Sequence, residues 1–312
     1  MRFSILVFIG FTLTSNAQFD PPGGETGSIS IRKDDPSISA WATDATITKG
    51  YMQISDSTLG KPTIGSDSSA IGEMDGNVVS LGDGGNAVLT FGNPVINRVG
   101  YDFAVFENGF KVGLSYYLEL AHVEVSKDGV NYTRFPSESL TDTSYQTNNF
   151  SYTKPEEIRN LAGKHQAPYG SLFDLSEVNM DTINYIRLID VVGSVNDSFG
   201  SRDSKGRIIN DPYPSPFESS GFDLDAVALV DGAFLLKEEH QLKGIRIYPT
   251  KLGIGEELQF VGIEKQFISI YNSLGQKLYI NPHDSITFSQ SGFYTLIVEK
   301  NGKSFIQKIC VY

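Results

Sequence analysis

The chain has 312 residues, with 25 Lys and Arg against 37 Asp and Glu, and a formal net charge of −12. Hydrophobic residues make up 40%, enough for a real core, which excludes a wholly disordered chain. The acidity argues against nucleic acid and against anionic membrane surfaces, because both need clustered Lys and Arg. The single cysteine, Cys310, excludes an intrachain disulfide framework and a Cys-rich zinc centre.

Residues 1–17 read as a secretory signal peptide. Arg2 is the positive head, 3–13 is an apolar run, and Ser15-Asn16-Ala17 offers small residues before a cleavage at Gln18. The run is shorter than the roughly 20 residues a membrane span needs. No other segment is longer and as apolar, so an integral membrane protein is not expected. No cysteine follows the cleavage point, so a lipid-anchored N-terminus is not expected either.

Residues 18–232 are predicted to form a β-sandwich. The stretch up to about residue 75 is rich in Gly, Pro, Ser, Asp and Thr. Beyond it, strands are predicted at 86–91, 99–106, 116–126, 132–135, 183–192 and 225–230, where apolar, aromatic and β-branched residues alternate or cluster. Asp128-Gly129 between two of them is a hairpin signal, since both residues tolerate positive φ. Helix is expected only at 154–162, where Pro155 suits a first turn, and at 174–178. Residues 233–243 (AFLLKEEHQLK) are charged and read as a linker, and 244–312 as a second small unit. Charge divides between the parts. Residues 18–243 carry 17 Lys and Arg against 32 Asp and Glu, whereas 244–312 carry 7 against 5.

The tail reads physically as alternating strands joined by Gly-containing turns. Its motifs are Tyr248-Pro249, Leu274-Gly275-Gln276, Gly292-Phe293-Tyr294 and Lys308-Ile309, in that order. They resemble the type A C-terminal sorting domain of the type IX secretion system of Bacteroidota, with departures at Thr250-Lys251 and at Cys310. The resemblance implies a small immunoglobulin-like β-sandwich with Tyr248, Pro249, Gly275, Gly292, Tyr294 and Lys308 in the sorting signal. It implies a partner, the outer-membrane translocon, and a secreted or cell-surface location reached through the periplasm.

Three segments of the first unit set carboxylates among apolar strand residues: 101–108, 119–129 and 221–227. Strand alternation puts Asp223 and Asp225 on one face, at the rim where the last strand enters the sandwich. Glu107 also ends a strand, and Asp190 is the fourth candidate. Buried carboxylates need partners. The candidates are a hard cation such as calcium, an arginine such as Arg187 or Arg98, or backbone N–H groups of the Gly-rich turns. The stretch 190–211 adds Asp197, Asp203, Asn210 and Asp211, but lacks the spacing of an EF-hand. The metal expectation is therefore Ca2+ held by Asp223, Asp225, Glu107 and Asp190.

Val105-Phe106-Glu107, Val125-Ser126-Lys127-Asp128-Gly129, Phe173-Asp174-Leu175, 185–190 and Asp223-Leu224-Asp225-Ala226-Val227 together resemble bacterial galactose-binding, discoidin-like jelly-roll modules. That resemblance implies a jelly-roll core and a glycan- or substrate-binding role. There is no Gly-Xaa-Ser-Xaa-Gly elbow and no His-Glu-Xaa-Xaa-His. His122 reads as a sheet-face residue and His165 as a loop residue. Trp41, Tyr116, Tyr117, Tyr145, Tyr152, Tyr169 and Tyr213 are the aromatics that could stack on sugars. The expectation is a non-catalytic binding protein that captures a glycan or another nutrient. The alternatives are an accessory of a TonB-dependent uptake system, for a corrinoid for instance, and a secreted hydrolase.

Overall fold

The computed structural model describes residues 19–231, 246–265, 268–272, 276–278, 285–300 and 303–312. The signal peptide, the linker and Gly275 lie outside the described residues. Helical structure among the described residues is limited to short 3-10 turns, at Ser57–Leu59, Asp67–Ala70, Pro155–Glu157 and Leu175–Val178. The rest is strand and loop, so the fold is all-β.

The first unit contains β1 (Ser30–Arg32), β2 (Ile38–Trp41), β3 (Asp44–Thr48), β4 (Val79–Ser80), β5 (Asn86–Ile96), β6 (Phe103–Glu107), β7 (Phe110–Val112) and β8 (Ser115–Tyr117). It continues with β9 (Ala121–Ser126), β10 (Tyr132–Arg134), β11 (Glu138–Ser139), β12 (Ile158–Arg159), β13 (Tyr169–Phe173), β14 (Thr182–Asp190) and β15 (Asp223–Val230). One sheet runs β1-β13-β6-β15-β2, with β4 also on β15, and the other runs β10-β9-β14-β5-β3. From β5 onward the chain crosses repeatedly between the sheets, and all these pairs are antiparallel. The orders β2-β15-β6-β13 and β5-β14-β9-β10 are those of a jelly roll.

The core between the sheets includes Leu89, Phe103, Val105, Val123, Val125, Ile186, Leu188, Leu224 and Val227. Phe103 stacks on Phe173 at 5.3 Å, and both meet the edge of Phe135, at 5.8 and 5.1 Å between ring centroids. Each such buried ring contributes about 1.5–3 kcal/mol. A second apolar layer covers the outer face of the first sheet. There Ala104, Phe106, Ala226 and Ala228 pack with Ile31 and Met74, and Trp41 lies against Phe106 at 5.4 Å.

Several expected elements differ. The helix expected at 154–162 is one 3-10 turn followed by β12, because the chain is then drawn into sheet-like pairing: β12 pairs with β11, and Ala162 bridges Ala121. The strand expected at 116–126 is interrupted at 118–120. Leu118 and Leu120 are buried there, but the Leu120 N–H is donated to the Asp211 carboxylate (2.9 Å) rather than to a strand. The hairpin at Asp128-Gly129 forms, pairing Ser126 with Tyr132. The N-terminal stretch supplies β1 to β3, which its composition did not announce.

The tail has its own core, built on Leu252, Leu258, Ile270, Leu296, Val298 and Ile309. Its strands are β16 (Arg246–Tyr248), β17 (Lys251–Leu252), β18 (Glu257–Val261), β19 (Ile268–Asn272), β20 (Lys277–Leu278), β21 (Ile286–Thr287), β22 (Gly292–Lys300) and β23 (Lys303–Val311). They form sheets β16-β18-β21 and β17-β23-β22-β19-β20, with β17 parallel to β23. The first strand is thus shared between the two sheets, as in immunoglobulin-like sandwiches, and Pro249 lies at the switch. Near the start of β22 the Tyr294 hydroxyl donates to the Gln290 carbonyl (2.9 Å), the tyrosine corner of such folds. Gly292 opens the same strand at φ 147°, a backbone state that only glycine adopts readily. Lys308 pairs with Thr295 across β22 and β23, and its ammonium group forms an ion pair with Asp174.

Candidate functional site: an acidic basin at one rim

The sheet register gathers carboxylates at one rim of the jelly roll. β6 ends at Glu107, opposite Leu224, and β15 begins at Asp223, opposite Ser80. In the facing sheet β14 ends at Asp190, opposite Ala121, and Glu119 stands two residues before that alanine. The long loop after β14 returns Asp211 to the Glu119–Leu120 backbone. Glu107, Glu119, Asp211 and Asp223 are 1, 6, 3 and 5% exposed.

These four acids share one electrostatic field. Burial pushes the Glu107 carboxyl well above the ordinary range, and the charges of Asp223 and Asp211 push it further. Burial does the same to Glu119, reinforced by Asp223, Glu107 and Asp211. Asp211 is raised by burial and by Asp190, and Asp223 by burial. The Tyr117 phenol is raised too, first by burial and then by Glu119, Asp211, Glu107 and Asp223. Low dielectric and like charge act in the same direction here, toward the neutral acid.

Their hydrogen bonds are sparse. Glu107 accepts the Gly109 N–H (2.7 Å), and Asp223 accepts from the Ser80 hydroxyl and from the Asn108 side-chain amide (3.1 Å). Glu119 has only a 3.5 Å contact from the Tyr117 hydroxyl. Asp211 accepts the Leu120 N–H on Oδ2, while its buried Oδ1 has no partner. Among the described residues, none of the four forms an ion pair with Lys or Arg. Gly163 packs against this corner at φ 80°, and a Cβ there would lie 1.9 Å from the Glu119 carbonyl oxygen.

Of the four residues expected to hold a metal, Glu107 and Asp223 enter the basin. Asp190 stands beside it, but its two oxygens accept the N–H groups of Phe222 (2.7 Å) and Gly84 (2.9 Å). Asp225 goes elsewhere. Alternation would set it beside Asp223, yet the register slips between Leu224 and Ala226, and the extra residue of this bulge breaks the two-residue period. Asp225 instead accepts the N–H groups of Asp75 (3.1 Å) and Gly76 (3.0 Å). Among the described residues, no three Asp, Glu, His or Cys side chains are grouped to hold a metal ion.

The arginines offered as partners serve other roles. Arg187 pairs with Glu124, and Arg98 gives Asp102 only its backbone N–H (2.7 Å). Asp197 pairs with Arg202 and Asp203 with Arg207. Asn210 ties loops together, accepting from Thr147 and donating to the Asp142 and Tyr145 carbonyls. That knot positions Asp211. Glu119 and Asp211 are the basin residues that stood outside the expected metal set, although both lie in stretches that the sequence singled out. A carboxylate flanked by Leu118 and Leu120 in an apolar run was the available signal for Glu119.

His122 is buried in β9, and burial pushes its imidazole down to about 4. Burial does the same to His165, whose Nε2 lies 3.1 Å from the Ile29 carbonyl oxygen. Among the aromatics, Tyr116 and Tyr213 are buried and Trp41 and Tyr169 half-buried, whereas Tyr145 and Tyr152 stay exposed. The β7–β8 hairpin adds exposed Phe110, Val112 and Leu114, with Phe110 stacked on Tyr117 at 5.2 Å. A bridge between Tyr116 and Thr153 brings the loop of Phe150 and Tyr152 beside that hairpin. Exposed apolar and aromatic side chains thus flank the elements that carry the basin. No protein-family model matches the chain, and no curated protein matches it.

Proposed function

We propose that this chain is an exported, non-catalytic binding protein that captures a glycan or another nutrient at the basin end of its jelly roll. One observation carries the reading: Phe110, Phe150 and Tyr152 stand exposed on a hairpin and loop that adjoin Tyr116 and Tyr117, and the Tyr117 hydroxyl reaches Glu119 of the basin. Aromatic faces stack on sugar rings, and oxygen-rich side chains orient polar groups. The tail motifs support export by the type IX translocon, with the immunoglobulin-like tail as the sorting domain.

Glycan arrays probed with the mature chain should reveal a bound class, and Phe110→Ala or Tyr152→Ala should abolish that binding. Steady hydrolysis of a polysaccharide, lost in Glu119→Gln, would instead make the protein a hydrolase using its raised carboxyls as general acids. Deleting residues 244–312 should leave the protein in the periplasm of its host. Normal surface delivery of that truncated chain would remove the sorting role.

A further inference from the structure

We infer that Lys164 and Asp20 become joined by a covalent amide bond, a self-formed cross-link that fastens an N-terminal strap to the jelly roll. The inference goes beyond capture and export and rests on neither. Its first support is where the pair sits. Lys164 and Asp20 are 144 residues apart, yet Lys164 Nζ lies against Asp20 Oδ1, with the two side chains only 4% and 13% exposed. The residues around Asp20 are bound down along the loop that carries Lys164. The Phe19 N–H donates to the Glu156 carbonyl (2.8 Å), the Gln166 side-chain amide donates to the Gly23 carbonyl (2.9 Å), and β1 pairs with β13. Gly23 and Gly24 lie directly on Tyr169, where a Cβ at either would come within 2.5 Å of its side chain.

As ions the two groups fit this place badly. A lysine ammonium carries three donors, and among the described residues Asp20 is the one acceptor that Lys164 Nζ meets. Two charged N–H groups would then be buried without acceptors, which is costly. An amide nitrogen keeps one N–H and no charge. The same burial pushes the Lys164 amine down, toward the neutral form that acts as a nucleophile.

The carboxyl is placed for attack. Asp20 Oδ2 accepts the Ile29 N–H (2.8 Å), and His165 Nε2 stands 3.6 Å from the same oxygen. That nitrogen is also 3.1 Å from the Ile29 carbonyl oxygen, which can only accept, so it carries a hydrogen. The ammonium passes one proton to Oδ1, and the neutral amine attacks Cγ. Negative charge then gathers on Oδ2, where the Ile29 N–H and the nearby imidazole N–H oppose it. A second proton moves from the nitrogen to Oδ1, the Cγ–Oδ1 bond breaks, and water leaves. One ammonium and one carboxylate thus become one amide and one water, and no other reagent is consumed. A buried site keeps out the water that would reverse the step. The chain has one cysteine and so no disulfide within it. An amide between residues this far apart in sequence closes a long loop and restricts the unfolded chain, as a disulfide would.

The test is mass spectrometry of the folded mature chain, afterwards unfolded in denaturant and digested with trypsin. The expected result is one branched peptide. In it the segment ending at Arg32 is joined through Asp20 to residues 160–187, with a mass one water below the sum of the two. Trypsin does not cut after an acylated lysine, so Lys164 stays inside the longer arm. Lys164→Arg keeps the charge and the pairing but removes the nucleophile. That variant should give the two segments separately, and its jelly roll should melt several degrees below the wild type. The wild-type digest needs no variant to fold, so it decides alone. Two separate segments from the wild type, with cleavage after Lys164, would overturn the inference and leave a buried ion pair only. A branched peptide that persists in Lys164→Arg would overturn it as well, since the bond would then lie on another residue.

Discussion

Asp83 stands beside Asp190 at the basin rim, accepts the Ile54 N–H (2.8 Å) on one oxygen, and is pushed up to about 6 by burial. Its folded state therefore holds a proton that the unfolded chain has released. The stability this group contributes is full below its unfolded value, near 4, and is lost as pH rises through about 6. Asp83→Asn removes the titration and keeps an oxygen for Ile54. Relative to the wild type, the variant should gain roughly 1–3 kcal/mol between about pH 4 and pH 7, read by denaturant melts at each pH. The wild type itself is a poor probe. His122 and His165, both held near 4, contribute with the opposite sign, losing stability as pH falls from about 6.5. A difference between wild type and variant that does not change with pH would show that Asp83 is ionised throughout.

Strands were legible wherever apolar residues alternated, as in β9 and β14, because one face of each is pressed into the core. Their order was not legible, since periodicity states that a strand exists and not which strand it meets. The break at 118–120 shows the same limit locally. Alternation continues through Leu118 and Leu120, but the Leu120 N–H goes to a carboxylate 91 residues away in sequence. That long-range bond created half of the basin and left no local trace. The bulge at Asp225 likewise undid a pairing that the two-residue period required. Two substitutions separate elements that hold the fold from those that do not. Phe103→Ala empties the centre of a three-ring cluster and should cost about 3–5 kcal/mol in denaturant melts. Leu114→Ser, at the 94% exposed tip of the β7–β8 hairpin, should change stability by no more than about 0.5 kcal/mol. A large loss at Leu114 would mean that this hairpin is part of the folding core rather than a presented surface.

At the scale of the whole molecule, two apolar cores are separated by the segment read from sequence as a linker. Among the described residues, no strand of the jelly roll pairs with a strand of the tail. The Lys308 ammonium group reaches the buried Asp174 and lies 5.6 Å from the centre of the Tyr101 ring, and because desolvation offsets most of the attraction within a buried pair, this cluster adds little net stability. That is too little to make two sandwiches unfold as one, since the stability of each comes from its own buried side chains. The mature chain should therefore melt in two calorimetric transitions. Leu296 is fully buried at the centre of the tail, paired with Ile270 and Gln307 on its two sides. Leu296→Ala should cost the tail about 2–5 kcal/mol. In a unit of this size that is a large share of the total stability, so its transition should fall by many degrees or vanish. The transition of the jelly roll should stay where it was. If both transitions move together, the two units are thermodynamically one body, and the division read from charge and composition fails.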